Sequence, residues 1–185
     1  MTRGLFISEK FVKNNSAVDE NVDMKKITPT IWQAQVQYIQ AYLGSVLYED
    51  LEAKVIAGTL AGNDLILVNN YISNALLYWT LYELQIPLLF NFRNKSTATN
   101  NSDYSSPIST KELARIENRM KDKAEFFSER LTDYLSAKAN LYPLYMKANT
   151  SADMLPELGR PTVSVYLGSG HAPKCNKFLY PTPDE

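Results

Sequence analysis

Leu65–Phe90 reads LILVNNYISNALLYWTLYELQIPLLF, and the interpretation of this stretch decides the fold. It is the longest apolar-rich run in the chain and contains no glycine. As a helix it would span ~39 Å, about the width of a small domain. Val68, Ile72, Ala75, Trp79 and Tyr82 recur at steps of four and three, and Leu76, Leu77, Tyr78 and Leu81 widen that stripe over most of the circumference. Asn69, Asn70, Ser73, Asn74, Thr80, Glu83 and Gln85 interrupt every window long enough to cross a bilayer, and Pro87 closes the run. The pattern therefore predicts a buried core helix that other helices must wrap, with Asn63 or Asp64 as its cap.

The wrapping helices are expected on both sides. Upstream, Ser8 can start a short helical turn after Phe6. Asp19, Glu20 and Asp23 suit a solvated loop. Thr28-Pro29 resembles a helix start, with a hydroxyl cap followed by proline at the first position. Trp32, Val36, Ile39 and Leu43 would then share one face up to Gly44, with Ser45 capping the next helix. That helix carries Val46, Leu47, Leu51, Val55 and Ile56 and ends near Gly58. Downstream, Ser109-Thr110-Lys111-Glu112 is a capping box. It opens a helix with Leu113, Ile116, Met120, Ala124, Phe127, Leu131 and Tyr134 on one face, a Glu117–Lys121 pair on its surface, and an end near Leu141.

Two stretches escape this order. Residues 91–106, NFRNKSTATNNSDYSS, are almost wholly polar, with Arg93 near the start and Tyr104 near the end. They read as a long polar loop, a feature usually functional or disordered in a compact domain. Residues 143–185 hold six of the nine prolines yet keep Val163, Val165, Tyr166, Leu167, Phe178, Leu179 and Tyr180. A disordered tail lacks such residues, so the segment reads as an extended arm that docks on another chain. The predicted architecture is all-α: a small bundle of about four main helices around a long central one. Residues 1–142 form the helical domain with its 91–106 loop, and residues 143–185 form the arm.

The bulk numbers exclude several classes. A chain of 185 residues suits one domain, and a net charge of −1 argues against a general polyanion binder. One cysteine excludes an intrachain disulfide framework, and the N-terminus lacks the apolar stretch of a secretory signal. Twelve tyrosines favour large amphipathic contact surfaces. His171 and Cys175, the sole residues of their types, are two ligands where a zinc site needs three or four. Gly168-Ser169-Gly170-His171 fits neither a nucleophile elbow nor a phosphate loop. Asp122, Glu125, Glu129 and Asp133 suit a solvated helix face. No catalytic, cofactor or metal site is expected.

Phe6-Ile7-Ser8-Glu9, Ile31-Trp32-Gln33-Ala34-Gln35, Leu43-Gly44, Leu47-Tyr48-Glu49-Asp50-Leu51 and Asn70-Tyr71-Ile72 occur in that order. After the polar loop follow Lys123-Ala124-Glu125-Phe126-Phe127-Ser128-Glu129-Arg130-Leu131 and Tyr142-Pro143-Leu144-Tyr145. This succession resembles the head–tail connector, or adaptor, proteins of tailed bacteriophages, especially the crAss-like type, over roughly residues 5–146. The resemblance implies a non-enzymatic virion subunit, made in the host cytoplasm, that assembles with itself into a ring, typically of twelve, beneath the portal protein. Packaged DNA would pass through the channel without sequence-specific binding, and neck or tail proteins would dock below; no membrane is involved. Val163, Val165, Tyr166, Leu167, Phe178, Leu179 and Tyr180 of the arm, with Arg93 and Tyr104 of the loop, are the expected assembly contacts. A different class remains open: a cytosolic helical interaction module or regulator that presents its arm to one partner. A third is an enzyme whose site forms from tyrosine, arginine and carboxylates across an oligomer interface.

Overall fold

The structure, a computed structural model, describes residues 3–93, 96–99, 110–145 and 153–156. The architecture is all-α, as the periodicity predicts, with one short hairpin between the two longest helices. Helix α1 (Glu9–Asn14) opens as expected on Ser8, whose Oγ accepts from the Phe11 N–H at 3.1 Å. Helix α2 (Met24–Ala34) starts earlier than Thr28-Pro29 suggests. Asp23 provides the cap, its carboxylate accepting from the Lys25 N–H at 3.0 Å. The earlier start carries Ile27 into the core, while Pro29 is tolerated on the exposed side of the helix.

A π-helical turn, Gln35–Ile39, joins α2 to α3 (Gln40–Leu43), so Met24–Leu43 is one helix with a local change of pitch. The buried stripe is Ile27, Ile31, Ala34, Gln35, Ile39 and Leu43, all but inaccessible to solvent. Trp32 and Val36, expected at its centre, are only half-buried. Ile39 and Leu43 are buried as expected, but the first half of the stripe lies one residue earlier than apolarity alone indicates, with Ile31 and Gln35 in place of Trp32 and Val36, because a glutamine occupies a core position.

Gly44 ends α3 at φ +73°, ψ 153°, a conformation open essentially to glycine, and α4 (Ser45–Ala57) follows directly and stops at Gly58 (φ +66°). Ser45 does not cap α4. Its backbone N–H donates to the Met154 carbonyl at 2.9 Å, and its Oγ accepts from the Met154 N–H at 3.0 Å and from Gln40 Nε2 at 3.1 Å.

The stretch that decides the fold is helical from Gly62 to Leu89, through α5 (Gly62–Leu67), a second π-helical turn (Val68–Ile72) and α6 (Ser73–Leu89). No side chain caps its start at Ala61. Asp64 instead binds Lys54, which also binds Asp50; these two carboxylates raise the Lys54 pKa. Pro87 is accommodated in the last turn, where its carbonyl accepts from Lys26 Nζ at 2.7 Å. Leu67, Ile72, Ala75 and Leu76 are fully buried, which makes this helix the axis of the core.

The polar stretch after it is not structureless throughout. Strands β1 (Phe90–Arg93) and β2 (Ser96–Thr99) pair antiparallel, with Phe90 opposite Thr99 and Arg93 opposite Ser96. The β-branched and aromatic residues in Phe90, Phe92, Thr97 and Thr99 supply the strand preference that overall polarity hides. Tyr104 and the proposed Ser109 cap lie outside the described residues.

Helix α7 (Thr110–Ala137) packs along α6, and a 3₁₀ turn, Ala139–Leu141, ends it. Only its second half is covered: Ala124, Ser128, Leu131, Thr132 and Leu135 are buried, whereas Leu113 and Met120 are half-buried and Ile116 is 40% exposed. On its surface Lys121 pairs with Glu125 at 3.7 Å rather than with Glu117. Tyr142 and Tyr145, the latter assigned to the arm by composition, lie in the core.

Candidate functional site

Two buried polar side chains, Gln35 and Ser45, hold non-helical segments of the chain against the bundle. At the N-terminal end, Gln35 faces inward at the start of its π-helical turn and is 0% exposed. Its Oε1 accepts from the Phe6 N–H at 2.9 Å, and its Nε2 donates to the Gly4 carbonyl at 2.8 Å and to the Tyr48 hydroxyl at 3.0 Å. One amide thus clamps an extended strap, residues 4–6, by a carbonyl and an N–H two residues apart, as a neighbouring strand would. Glu52 Oε1 takes the Gly4 N–H at 3.2 Å, and the Arg3 guanidinium lies 3.9 Å from the centre of the Trp32 ring. Gly4 is required by contact rather than torsion, since a Cβ there would sit 2.8 Å from Glu52 Cγ and from the Glu52 carbonyl.

At the C-terminal end, Asp153–Pro156 returns to the α3–α4 corner. Besides the two Ser45–Met154 hydrogen bonds, Pro156 fills the space over Gly44, where a Cβ would stand 2.7 Å from Pro156 Cδ and 3.0 Å from its nitrogen. Gly44→Ala is expected to cost about 2–4 kcal/mol, combining backbone strain with this contact. Urea denaturation would measure it, and faster proteolysis at Met154–Pro156 should accompany it. A loss below ~1 kcal/mol would mean that the corner does not anchor the segment.

A third feature is the outer face of α6 and α7. Tyr78 stacks on Phe127 (5.2 Å between ring centres) with Lys123 Nζ 5.1 Å from the Tyr78 ring. Tyr71 stacks on Tyr134 (3.9 Å) beside the Arg130 guanidinium at 5.3 Å, and Phe126 projects 61% exposed. The Tyr142 hydroxyl donates to the Asn63 carbonyl at 2.9 Å and lies 3.3 Å from the Tyr134 hydroxyl. Burial, and secondarily the Tyr134 hydrogen bond, push the Tyr142 pKa far above the usual tyrosine value. Tyr38 is shifted the same way by burial and by the Glu83 carboxylate that its hydroxyl binds at 2.6 Å. Burial also raises Tyr48 and Tyr145. These phenols are held neutral and packed, with Tyr38 and Tyr142 donating and Tyr48 accepting from Gln35, the opposite of an activated base.

Among the described residues no cluster of three or more His, Cys, Asp or Glu could hold a metal ion, and no helix is long and apolar enough to cross a membrane. Val163, Val165, Tyr166, Leu167, Phe178, Leu179, Tyr180, His171 and Cys175 lie outside the described residues. Arg93 closes β1 opposite Ser96. Sequence reading missed Gln35, Gly4 and the Ser45–Met154 contact. For Gln35 a signal existed: it falls at the middle of Ile31-x3-Gln35-x3-Ile39, an apolar frame with one amide inside it.

Bundle, strap and anchored corner define a class, a small all-α protein in which buried Gln35 and Ser45 fasten residues 4–6 and Met154 to the helices. The chain belongs to DUF6712, a family of unknown function, whose model matches residues 39–153. That span begins in the first π-helical turn and ends at the corner-docking segment. No curated protein matches the chain, and no solved structure does.

Proposed function

We propose that this chain is a head–tail connector subunit of a tailed bacteriophage, of the crAss-like type, which closes with copies of itself into a ring beneath the portal protein. It is a structural virion component and not an enzyme. The observation that carries this reading is the anchored exit of the arm. The chain is fastened at Met154–Pro156, and 29 residues follow it, with Val163, Val165, Leu167, Phe178 and Leu179 among them. A fixed root with an apolar extension suits contacts between subunits, because head-to-tail contacts between like chains generate rings when the rotation closes. The aromatic and cationic face of α6 and α7 supplies the residue types enriched at interfaces. Portal, neck and tail proteins are the further partners, and packaged DNA passes through the channel.

Truncation after Pro156 tests the reading. The shortened chain should keep its helical circular dichroism and lose assembly with itself and the portal protein. Mass measurement reads this directly, since a ring and a heterodimer differ severalfold in size. Unimpaired assembly of the truncated chain would overturn the role of the arm. Virions imaged without a ring of this chain at the portal would overturn the location, and a stable one-to-one complex with a host protein would point to a regulator.

A further inference from the structure

Between Arg119 and Asp133 the solvent-facing surface of α7 is divided by charge. Ala124, Ser128, Leu131 and Leu135 turn one side of the helix to the core, and Phe126, 61% exposed, points the opposite way. At about 100° per residue, Arg119, Lys123 and Arg130 fall to one side of Phe126, and Asp122, Glu129 and Asp133 to the other. The cationic flank is the one beside α6, where Lys123 lies over the Tyr78 ring and Arg130 over the Tyr71 ring. Lys121, deeper on the acidic side, is paired with Glu125. The division is unfavourable for a helix on its own, which gains from opposite charges four residues apart and loses from like ones. Here Arg119 stands four residues before Lys123, and Glu129 four before Asp133. Local preference yields in this way at functional surfaces, where something outside the helix offsets the loss.

We propose that copies of this chain join flank to flank along parallel α7 helices, with Asp122 and Glu129 of one copy against Lys123 and Arg130 of the next. The heights of these groups agree with ring symmetry. Rotation about an axis along α7 carries a copy round without raising it, so groups that pair must stand level on opposite flanks. Asp122 and Lys123 are consecutive, as are Glu129 and Arg130, and each couple differs in height by only ~1.5 Å. A carboxylate accepts from several donors, so contacts within its own chain do not bar this one. The two cations are held against rings before a neighbour arrives, which lowers the ordering cost of the contact. A two-fold axis between antiparallel helices would set acidic flank on acidic flank and basic on basic, which like-charge repulsion opposes. The contact is heterologous, and each pair of copies keeps one flank of either sign at its ends for further copies. The inference rests on the self-association part of the proposed function and names the surface that orients one copy on the next.

Two full-length charge-reversal variants test it, with assembly mass read by sedimentation over a range of concentrations. One carries Lys123→Glu and Arg130→Glu, the other Asp122→Lys and Glu129→Lys. Each alone should self-associate at least ~10-fold more weakly than the unchanged chain, because like charges then face each other across the contact. An equimolar mixture should regain the association, since each variant is complementary to the other on both flanks. Association of the unchanged chain should also weaken as salt rises from ~0.1 M to ~1 M, where the screening length falls from ~10 Å to ~3 Å. Helical circular dichroism equal to that of the unchanged chain shows that both variants fold, and mutual rescue requires it. Undiminished self-association of both variants would overturn this contact and leave the ring reading standing. So would two folded, weakened variants that fail to rescue each other. An unchanged chain that stays monomeric at every concentration would overturn both.

Discussion

Replacing Gln35 with leucine is expected to destabilise the protein by about 3–5 kcal/mol, although the substitution is close to isosteric and makes the site more apolar. The reason is what Gln35 leaves behind. The Phe6 N–H, the Gly4 carbonyl and the Tyr48 hydroxyl all lose their partner. A buried donor or acceptor left unsatisfied costs ~1–3 kcal/mol. If the strap detaches to hydrate those groups, it withdraws Phe6 and Ile7 from the core, at ~1.5–3 kcal/mol for each side chain exposed. Either route removes a large part of a typical domain's 5–15 kcal/mol. Urea denaturation gives the magnitude, and amide exchange at Phe6 should accelerate toward the rate of an open chain. A loss below ~1 kcal/mol would show that the strap holds without its clamp.

The second large effect is expected at Trp79. Its ring is 4% exposed, stacks on Tyr38 at 3.7 Å between centres and meets the edge of Tyr82 at 5.9 Å, while its Nε1–H donates to Ser128 Oγ at 2.9 Å. These contacts join three helical elements at one side chain: the Gln35–Ile39 turn, α6 and α7. Trp79→Ala should cost about 3–5 kcal/mol from lost burial and the cavity left behind. Trp79→Phe keeps an aromatic ring and gives up the hydrogen bond, so its cost should be near 1–2 kcal/mol. Equal losses for the two variants in denaturant unfolding would mean that the Ser128 hydrogen bond, and not the packed ring, holds α7 to α6. Tyr38 supports the same junction from outside, kept neutral so that it can donate to Glu83.

The helical class, the central helix and most helix ends were legible, because each rests on local chemistry. The 3.6-residue period of Val68, Ile72, Ala75 and Trp79, the glycines at 44 and 58 and the hydroxyl of Ser8 act within one or two turns. Errors arose where a residue's local preference and its tertiary partner diverge. Thr28-Pro29 has the composition of a helix start, yet Asp23 caps the helix one turn earlier and Ile27 gains a core position. Ser45 and Asp64 have capping side chains, but Ser45 holds Met154 and Asp64 pairs with Lys54. The periodic face of α7 predicted burial along its whole length, while a face is buried only where another element lies on it, and at Ile116 none of sufficient extent does. The 91–106 stretch looked uniformly polar because cross-strand pairing between Phe90–Arg93 and Ser96–Thr99 is a relation between residues, invisible to composition.

For the candidate surfaces the division is sharper. Composition alone marked Val163–Leu167 and Phe178–Tyr180 as apolar segments in a proline-rich arm, and no structural knowledge was needed for that. The sequence by itself determined an all-α chain with Leu65–Phe90 at its centre, since apolar spacing and capping are properties of neighbours along the chain. Only the tertiary structure decided that Gln35 belongs inside, that Gly44 and Ser45 root the returning chain, and that Gln85 stands unpaired beside an open cleft. A glutamine is polar wherever it occurs. Whether its amide is hydrated, clamped or orphaned depends on residues distant along the chain, Gly4, Phe6 and Tyr48 for Gln35, which only folding brings within hydrogen-bond reach.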